Sequence, residues 1–511
     1  MLKPEQPVRA ISELMDYCAA AYGSQSVFRW REREEIRSIT YARFAEEARA
    51  LAAWFAGETS RNAHIAILGG NSYDWLLGWF SALCAGRVVV PLDPQLPTAN
   101  LLALLERSGA ELLLYDKDFD DVAEAFPRDC LRLEELPARE GADGWPCAAR
   151  PEDLGAIVFT SGTTGDPKGV MLSQWNFISD ALSGTRLLGY GAHETLVALP
   201  FYHTFGITPV VLATMYIGST ISICQGVKYF KKDLETFQPQ TLGVVPLIGQ
   251  TIYDQIWDTA EKEGKAKLLR VMLKLSDGLC KVGIDLRRRL FKTVLDALGG
   301  RMETMVCGGA PVPPAIVTGF KRFGIDFLPG YGTTECAPGI SMNIRENCKA
   351  ESVGLVMDCN RVRIVDGEIQ VKGDNVFMGY YENEEATREA FTEDGWFRTG
   401  DLGHIDADGH LYVTGRKKNL IILSNGENVS PEGLEEKLMA IPIIKEALVY
   451  ESGGEITAEL FLDEEAPDAA ARLEGEMKAL NRGLPAHHRI TKTVLRDTEF
   501  PKTTIKKIKR K

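Results

Sequence analysis

Between His64 and Tyr115 the chain alternates short apolar runs with amphipathic stretches, and this alternation limits its fold more than any other feature. His64 to Leu68, Val88 to Leu92 and Glu111 to Tyr115 read as strands, and Ser72 to Cys84 and Leu101 to Ser108 as helices. Strands that alternate with helices build a largely parallel sheet covered by helices, an α/β architecture. Ligands of such sheets sit at the carboxyl ends of the strands.

A further apolar run, Ala156 to Phe159, reads as a buried strand and leads into Thr160-Ser161-Gly162-Thr163-Thr164-Gly165-Asp166-Pro167-Lys168-Gly169. Glycines there let the backbone approach an anion, and hydroxyls and a lysine supply donors. Consecutive backbone N–H groups in such a turn form an anion nest, for which phosphate is a natural guest. A Walker A loop requires Gly-Lys-Ser/Thr opening a helix; here Gly169 follows Lys168, so no hydroxyl stands in that place. A plain flexible turn remains the alternative for this stretch on its own.

The 511 residues suggest two or three domains, and a formal net charge of -13 argues against nucleic acid as a partner. The cysteines have no Cys-x-x-Cys spacing, which suits reduced thiols and a cytoplasmic location better than a disulfide scaffold or zinc site. Charges at Lys3, Glu5, Arg9, Glu13 and Asp16 leave no signal-like apolar region. Thr204 to Val227 carries no charge, but Gly206, Pro209 and Gly218 divide it into a buried helix, a turn and a buried strand rather than a membrane span. Leu247 to Leu298 reads as helical. Residues 264–293 within it are basic, with Lys265, Lys267, Arg270, Lys274, Lys281, Arg287, Arg288, Arg289 and Lys292 against Asp277 and Asp285. A solvated helix face explains this, and peripheral contact with an anionic membrane at its inner face is the alternative. Gly403 to Val413 reads as a hairpin turning at Ala407-Asp408-Gly409. After Arg416 we place a boundary, followed by a small α+β unit with a basic tail.

Four more motifs follow the first: Tyr331-Gly332-Thr333-Thr334-Glu335, Gly395-Trp396-Phe397-Arg398-Thr399-Gly400-Asp401, Gly415-Arg416-Lys417-Lys418, and Pro501-Lys502-Thr503-Thr504-Ile505-Lys506-Lys507. With Leu199-Pro200-x-x-His203 and Gly308-Gly309-Ala310-Pro311 between them, nearly the whole chain resembles the adenylate-forming superfamily of acyl-CoA synthetases, peptide-synthetase adenylation domains and luciferases. It is most similar to a long-chain fatty acyl-CoA synthetase. The resemblance implies a large multi-sheet N-terminal domain at 1–416, a hinge at 417–418 and a small mobile α+β domain at 419–511.

The resemblance also implies roles. ATP and Mg²⁺ are the expected cofactors, with CoA as cosubstrate. Thr160, Ser161, Gly162, Thr163, Thr164, Gly165 and Lys168 resemble the cradle of the departing pyrophosphate. Tyr331 and Gly332 would flank the adenine; Thr333 belongs to the same motif, and Thr334 would bond the α-phosphate. Glu335 matches the Mg²⁺ ligand, a hard oxygen for a hard cation. Asp401 would accept the ribose hydroxyls, and Arg416 would contact the same ribose or the phosphates as a fixed donor fork. Lys507 aligns with the lysine that bridges carboxylate and α-phosphate; Lys506 stands where the family has Gly, and can substitute for Lys507 in register. Gly426 resembles the glycine beside which pantetheine passes.

His203 is expected in the acyl pocket, with Phe201, Phe205, Val306, Gly308, Gly309 and Gly330 around it. Thr204 to Val210 lacks the acid that would hold an amino-acid ammonium, so an apolar acyl chain, a medium- to long-chain fatty acid, fits better. CoA is the expected acceptor and an acyl carrier protein the alternative. The segment from Glu335 to Asp401 is short for the family and leaves little room for the insertion that carrier-dependent ligases carry.

Overall fold

The computed structural model describes residues 8–137, 144–147, 149–160, 167–189, 191–422, 428–453, 455–463, 468–485, 488–502, 508 and 510. The chain divides into two compact units, Met1–Arg361 with Val371–Phe397, and Val362–Gln370 with Arg398–Lys511.

The first unit contains two large sheets. In the seven-stranded sheet, His64–Leu68, Val88–Leu92 and Leu112–Tyr115 lie parallel, as the alternation predicts. Every residue of Val88–Leu92 is buried, which explains why it reads as an unbroken apolar run. The helix Tyr73–Cys84 starts where Ser72 accepts the Trp75 N–H, an N-cap that satisfies one orphan donor of the first turn. Leu154–Thr160 and Lys168–Ser173 form an antiparallel pair at this sheet, with Thr160 opposite Lys168. Lys168–Ser173 pairs on its other side with Gly379–Tyr380.

The nine-stranded sheet places Thr241–Val244 between Glu194–Val197 and Thr304–Cys307, all parallel. Strand alternation divides its two faces. Leu196, Leu242, Val244, Met305 and Cys307 join one buried core with Phe320 and Phe327, while Thr195, Gly243 and Val306 lie on the opposite face. The uncharged stretch after His203 forms a wide π-type turn, Gly206–Leu212, continued by the helix Ala213–Tyr216 and the strand Thr220–Ile223. No helix among the described residues is long and apolar enough to cross a membrane. The stretch read as helical from Leu247 to Leu298 forms the helices Pro246–Lys262, Ala266–Lys281, Arg287–Leu290 and Lys292–Asp296.

The second unit has its own core, in which Val429, Leu438, Val449, Ala458 and Leu460 are fully buried. Ile444–Ser452 and Glu455–Leu462 pair antiparallel, and Lys492–Arg496 joins parallel. The hairpin read from Gly403 to Val413 is present as the pair Phe397–Ile405 and Leu411–Arg416. All ten cysteines are free thiols, and Cys336 is completely buried.

Candidate active site

In the first unit, the strand Asp326–Gly332 delivers Tyr331 and Gly332 to a tight turn, and Gly339–Met342 returns antiparallel beside it. Only glycine fits at 332: a Cβ there would lie 1.8 Å from the Pro338 carbonyl oxygen, which already accepts the Thr333 N–H at 2.9 Å. A single 3₁₀ turn, Thr334–Cys336, then presents Glu335. The structure therefore brings Tyr331, Gly332, Thr333, Thr334 and Glu335 together by local geometry.

Sequence reading missed what holds this turn. Asp180 Oδ1, on the helix Gln174–Leu188, accepts the Gly339 N–H at 2.8 Å and the Asn375 side-chain N–H at 3.0 Å. Asn360 and Asn375 both donate to the Gly339 carbonyl, at 2.9 and 2.6 Å. Burial pushes the Asp180 carboxyl up to about 7, against the lowering effect of its two donors. The signal was the lone carboxylate of a helix that buries Phe177, Ile178, Ser179 and Ala181 around it.

Glu335 and Lys168 are joined through another missed residue, Tyr380. Its hydroxyl donates to Glu335 Oε1 at 2.9 Å, and Lys168 Nζ lies 4.8 Å from the centre of its ring. The Phe377 N–H fixes the Glu335 carbonyl at 2.8 Å. Burial, and then the neighbouring carboxylate, hold the Tyr380 phenol above its usual range, so it stays a donor. Thr160 sits opposite Lys168 and donates to its carbonyl at 3.5 Å. Ser161, Gly162, Thr163, Thr164 and Gly165 lie outside the described residues. A phosphate group fits the residues that are described. Thr333 Oγ1 is buried without an oxygen or nitrogen partner among them, and Lys168 supplies a cation. No cluster of three or more His, Cys, Asp or Glu is placed to hold a metal among the described residues. Glu335 itself offers a hard carboxylate oxygen of the kind that Mg²⁺ takes together with phosphate oxygens.

His203 sits in a separate turn of the same unit. Its N–H bonds the Pro200 carbonyl at 3.2 Å, and its own carbonyl accepts the Gly206 N–H at 3.0 Å. Asn71, also missed, clamps this turn by donating to the Leu199 carbonyl at 2.8 Å and accepting the Phe201 N–H at 3.0 Å. His203 Nε2 is buried without a partner among the described residues. Burial pulls its pKa below the usual value, more than Asp93 raises it, so the ring is neutral. Phe201 is core, packed on Trp75 with ring centres 5.4 Å apart. Phe205 covers Gly308, where a Cβ would touch the ring at 3.4 Å.

Three residues after His203 begins the π-type turn Gly206–Leu212, interrupted by Pro209, which has no N–H to give a tighter helix. Between this segment and the sheet lies a cavity of about 50 Å³. Leu188, Val210, Ile217, Gly243, Val306 and Met342 are among its walls. The missing side chain at Gly243 keeps it open, since a Cβ there would press on Val210 at 2.7 Å.

In the second unit, Asp401 and Arg416 face each other across the hairpin, with Arg416 Nε 2.7 Å from Asp401 Oδ1. Asp401 is buried, and its N–H donates to Thr399 Oγ1 at 3.0 Å. Gly415 is dictated by Ser430, whose hydroxyl would lie 2.2 Å from a Cβ. Lys417 pairs with Glu368 at 3.0 Å. Gly426, Lys506 and Lys507 lie outside the described residues. The ends of the tail are tied down. Lys502 pairs with Glu446 and Glu499, Arg510 with Glu435 at 2.5 Å, and Lys502 and Ile508 form an antiparallel bridge.

Comparison with known proteins shows the family. The AMP-binding enzyme family matches residues 16–381, and the AMP-binding enzyme C-terminal domain matches 418–511. The long-chain-fatty-acid–CoA ligase FadD15 of Mycobacterium bovis is 31% identical over 429 residues, covering 75% of this chain and 70% of that enzyme. Human long-chain-fatty-acid–CoA ligase 1 is 34% identical over 449 residues, covering 77% of this chain and 64% of that enzyme. The Bacillus subtilis o-succinylbenzoate CoA synthetase, solved with ATP and magnesium ion, shares the fold with a TM-score of 0.78 at 24% identity, over 97% of this chain and 98% of that one. The chain belongs to the AMP-binding enzyme family and is an adenylate-forming enzyme.

Proposed function

We propose that the chain joins a medium- to long-chain fatty acid to CoA in two steps. The carboxylate attacks the α-phosphate of ATP, giving acyl-AMP and pyrophosphate; the CoA thiol then attacks the acyl carbon and releases AMP. The observation that carries the reading is the cavity behind the His203 turn, walled mainly by Leu188, Val210, Ile217, Val306 and Met342, with His193 and threonines as its polar members and no carboxylate to hold an ammonium group. The fatty-acid ligase relatives support it.

Each step brings anions together, so catalysis needs fixed donors and cations. Thr160, Lys168 and the loop between them would hold the pyrophosphate, and Thr334 the α-phosphate. Tyr331 and Gly332 would flank the adenine, and Thr333 would bind the nucleotide beside Thr334. Glu335 would hold Mg²⁺, which when bound neutralises phosphate oxygens. Tyr380 keeps that carboxylate aimed through one of its oxygens. Asp401 and Arg416 would take the ribose, with Arg416 already oriented by Asp401. Neutral His203 would border the acyl carboxylate. Lys507 would bridge carboxylate and α-phosphate in the first step, and Gly426 would pass pantetheine in the second. The smaller domain, 419–511, would turn at Lys417-Lys418 between them.

A panel of acids from acetate to stearate, scored by AMP release with CoA, with holo acyl carrier protein or with neither, tests the proposal. Release that peaks at long chains and depends on CoA is expected. A peak at short or aromatic acids sinks the substrate assignment, and dependence on carrier protein sinks the acceptor.

A further inference from the structure

The helix Ala266–Lys281 has more apolar surface than the protein covers. Ala266, Leu273 and Ser276 are buried, and Leu269, Met272 and Leu273 pack with Phe291, Phe323 and Trp257. At about 100° per residue this inward face spans only part of the helix. Leu268, Val271 and Leu275 share a second row, facing outward, and are 57%, 62% and 57% exposed. The stripe continues past the helix end at Val282, 70% exposed, and Ile284, 47% exposed. Lys267, Lys274 and Lys281, one residue every second turn, form an exposed row along its edge.

The acidic residues of this region are already engaged. Asp277 is held by a two-pronged contact from Arg322 at 2.6 and 3.1 Å, Asp285 by Arg287, Glu261 by Arg270 and Glu263 by Lys265. The fold also takes up two arginines: Arg287 donates to the Lys321 carbonyl and Arg288 to the Met302 carbonyl, both at 2.7 Å. The cations left facing outward therefore include the lysine row rather than the whole basic run.

We infer that the Leu268–Val271–Leu275 stripe with its lysine border docks on an anionic lipid bilayer. Aliphatic side chains of moderate size would enter the headgroup–acyl boundary, and Lys267, Lys274 and Lys281 would lie level with the headgroups. Charge decides the occupant. The whole chain carries -13, which repels an anionic surface, so approach is favourable only where cations are gathered at the contact. At physiological salt, charges more than about 8 Å away are screened, so this local row outweighs the distant acids. A symmetric contact with a second copy would set the stripe on itself and bring the two lysine rows together, like charge against like. This surface lies apart from the cavity, and the inference goes beyond the proposed ligase reaction without depending on it.

Vesicle flotation tests it. The full chain should float with phosphatidylcholine vesicles holding about 30% phosphatidylglycerol, and bind at least roughly tenfold less to pure phosphatidylcholine or at high salt. The combined Leu268→Glu, Val271→Glu and Leu275→Glu variant should lose at least about tenfold, since the changed side chains are exposed and the new charges must leave the interface. A combined Lys267→Ala, Lys274→Ala and Lys281→Ala variant should keep weak binding that no longer distinguishes the two vesicles. Unchanged melting and unchanged turnover of a short water-soluble acid establish that the variants are folded. Equal flotation of parent and glutamate variant overturns the inference. So does a parent that ignores vesicles but forms a dimer that the glutamate variant breaks, which would assign the stripe to a second copy.

Discussion

The turn that carries Glu335 is held by groups withdrawn from water: Asp180, Asn360 and Asn375 grip Gly339, and Gly332 admits the Pro338 carbonyl. The described residues on either side of 503–507 are held by ion pairs instead, Lys502 with Glu499 and Arg510 with Glu435. Buried hydrogen bonds leave no solvent substitute when one partner is lost, so they fix one geometry. An ion pair that keeps a path to water, as Lys502–Glu499 does with Glu499 65% exposed, contributes about 0–1 kcal/mol and weakens with salt, so it holds a segment without locking it. The contrast matches the proposed roles. Phosphate ligands must be positioned before the substrate arrives, whereas the tail would serve one step and be absent from the other.

The contrast breaks most visibly at Gly332. Gly332→Ala should reduce fatty-acid-dependent pyrophosphate exchange by roughly a thousandfold or more, because the turn must open to seat the Cβ. An active variant would mean the turn is not preformed. Next comes Asp180. Its folded pKa of about 7 lies above the ordinary carboxylate value near 3.9, so folding retains a proton. That stabilisation is complete below about pH 4 and is lost as pH rises through about 7. Asp180→Asn has no proton to lose. Its melting temperature should be flatter from pH 5 to 8 than the parent's, with a gain of roughly 1–3 kcal/mol at pH 8. Parallel profiles would show that Asp180 does not titrate there.

The smaller effects sharpen the comparison. Tyr380→Phe keeps the ring beside Lys168 but removes the donor to Glu335, and should lower kcat about tenfold while raising the Mg²⁺ needed for half-maximal rate. A change in the fatty-acid KM alone would contradict the assignment. Arg510→Ala should slow adenylation by about two- to fivefold and make it less sensitive to salt, while thioester formation from supplied acyl-AMP stays unchanged. Equal slowing of both steps would mean that the pair stabilises the unit rather than presenting the tail.

Local patterns made much of this legible. The Val88–Leu92 run and the Ser72 cap mark a buried strand and a helix start within a few residues, and the structure has both. The motif residues Tyr331 to Glu335 are contiguous, so the chain itself gathers them. Asp180, Tyr380 and Asn71 were not legible as site residues. Their partners lie 159, 45 and 128 residues away, and no local period encodes such a contact. The arginine run at 287–289 looked like surface charge, yet two of its members bond backbone carbonyls.

Cys336 follows Glu335 directly and is 0% exposed, with burial holding its thiol well above its ordinary pKa. A thiol exchanges with disulfides only as thiolate and only when reached. On the proposed reading, an enzyme that admits a free thiol as substrate also meets its oxidised dimer. The sulfur nearest its catalytic carboxylate is then closed to mixed-disulfide formation, and oxidative stress would fall first on the exposed Cys280 of the basic helix, away from the chemistry.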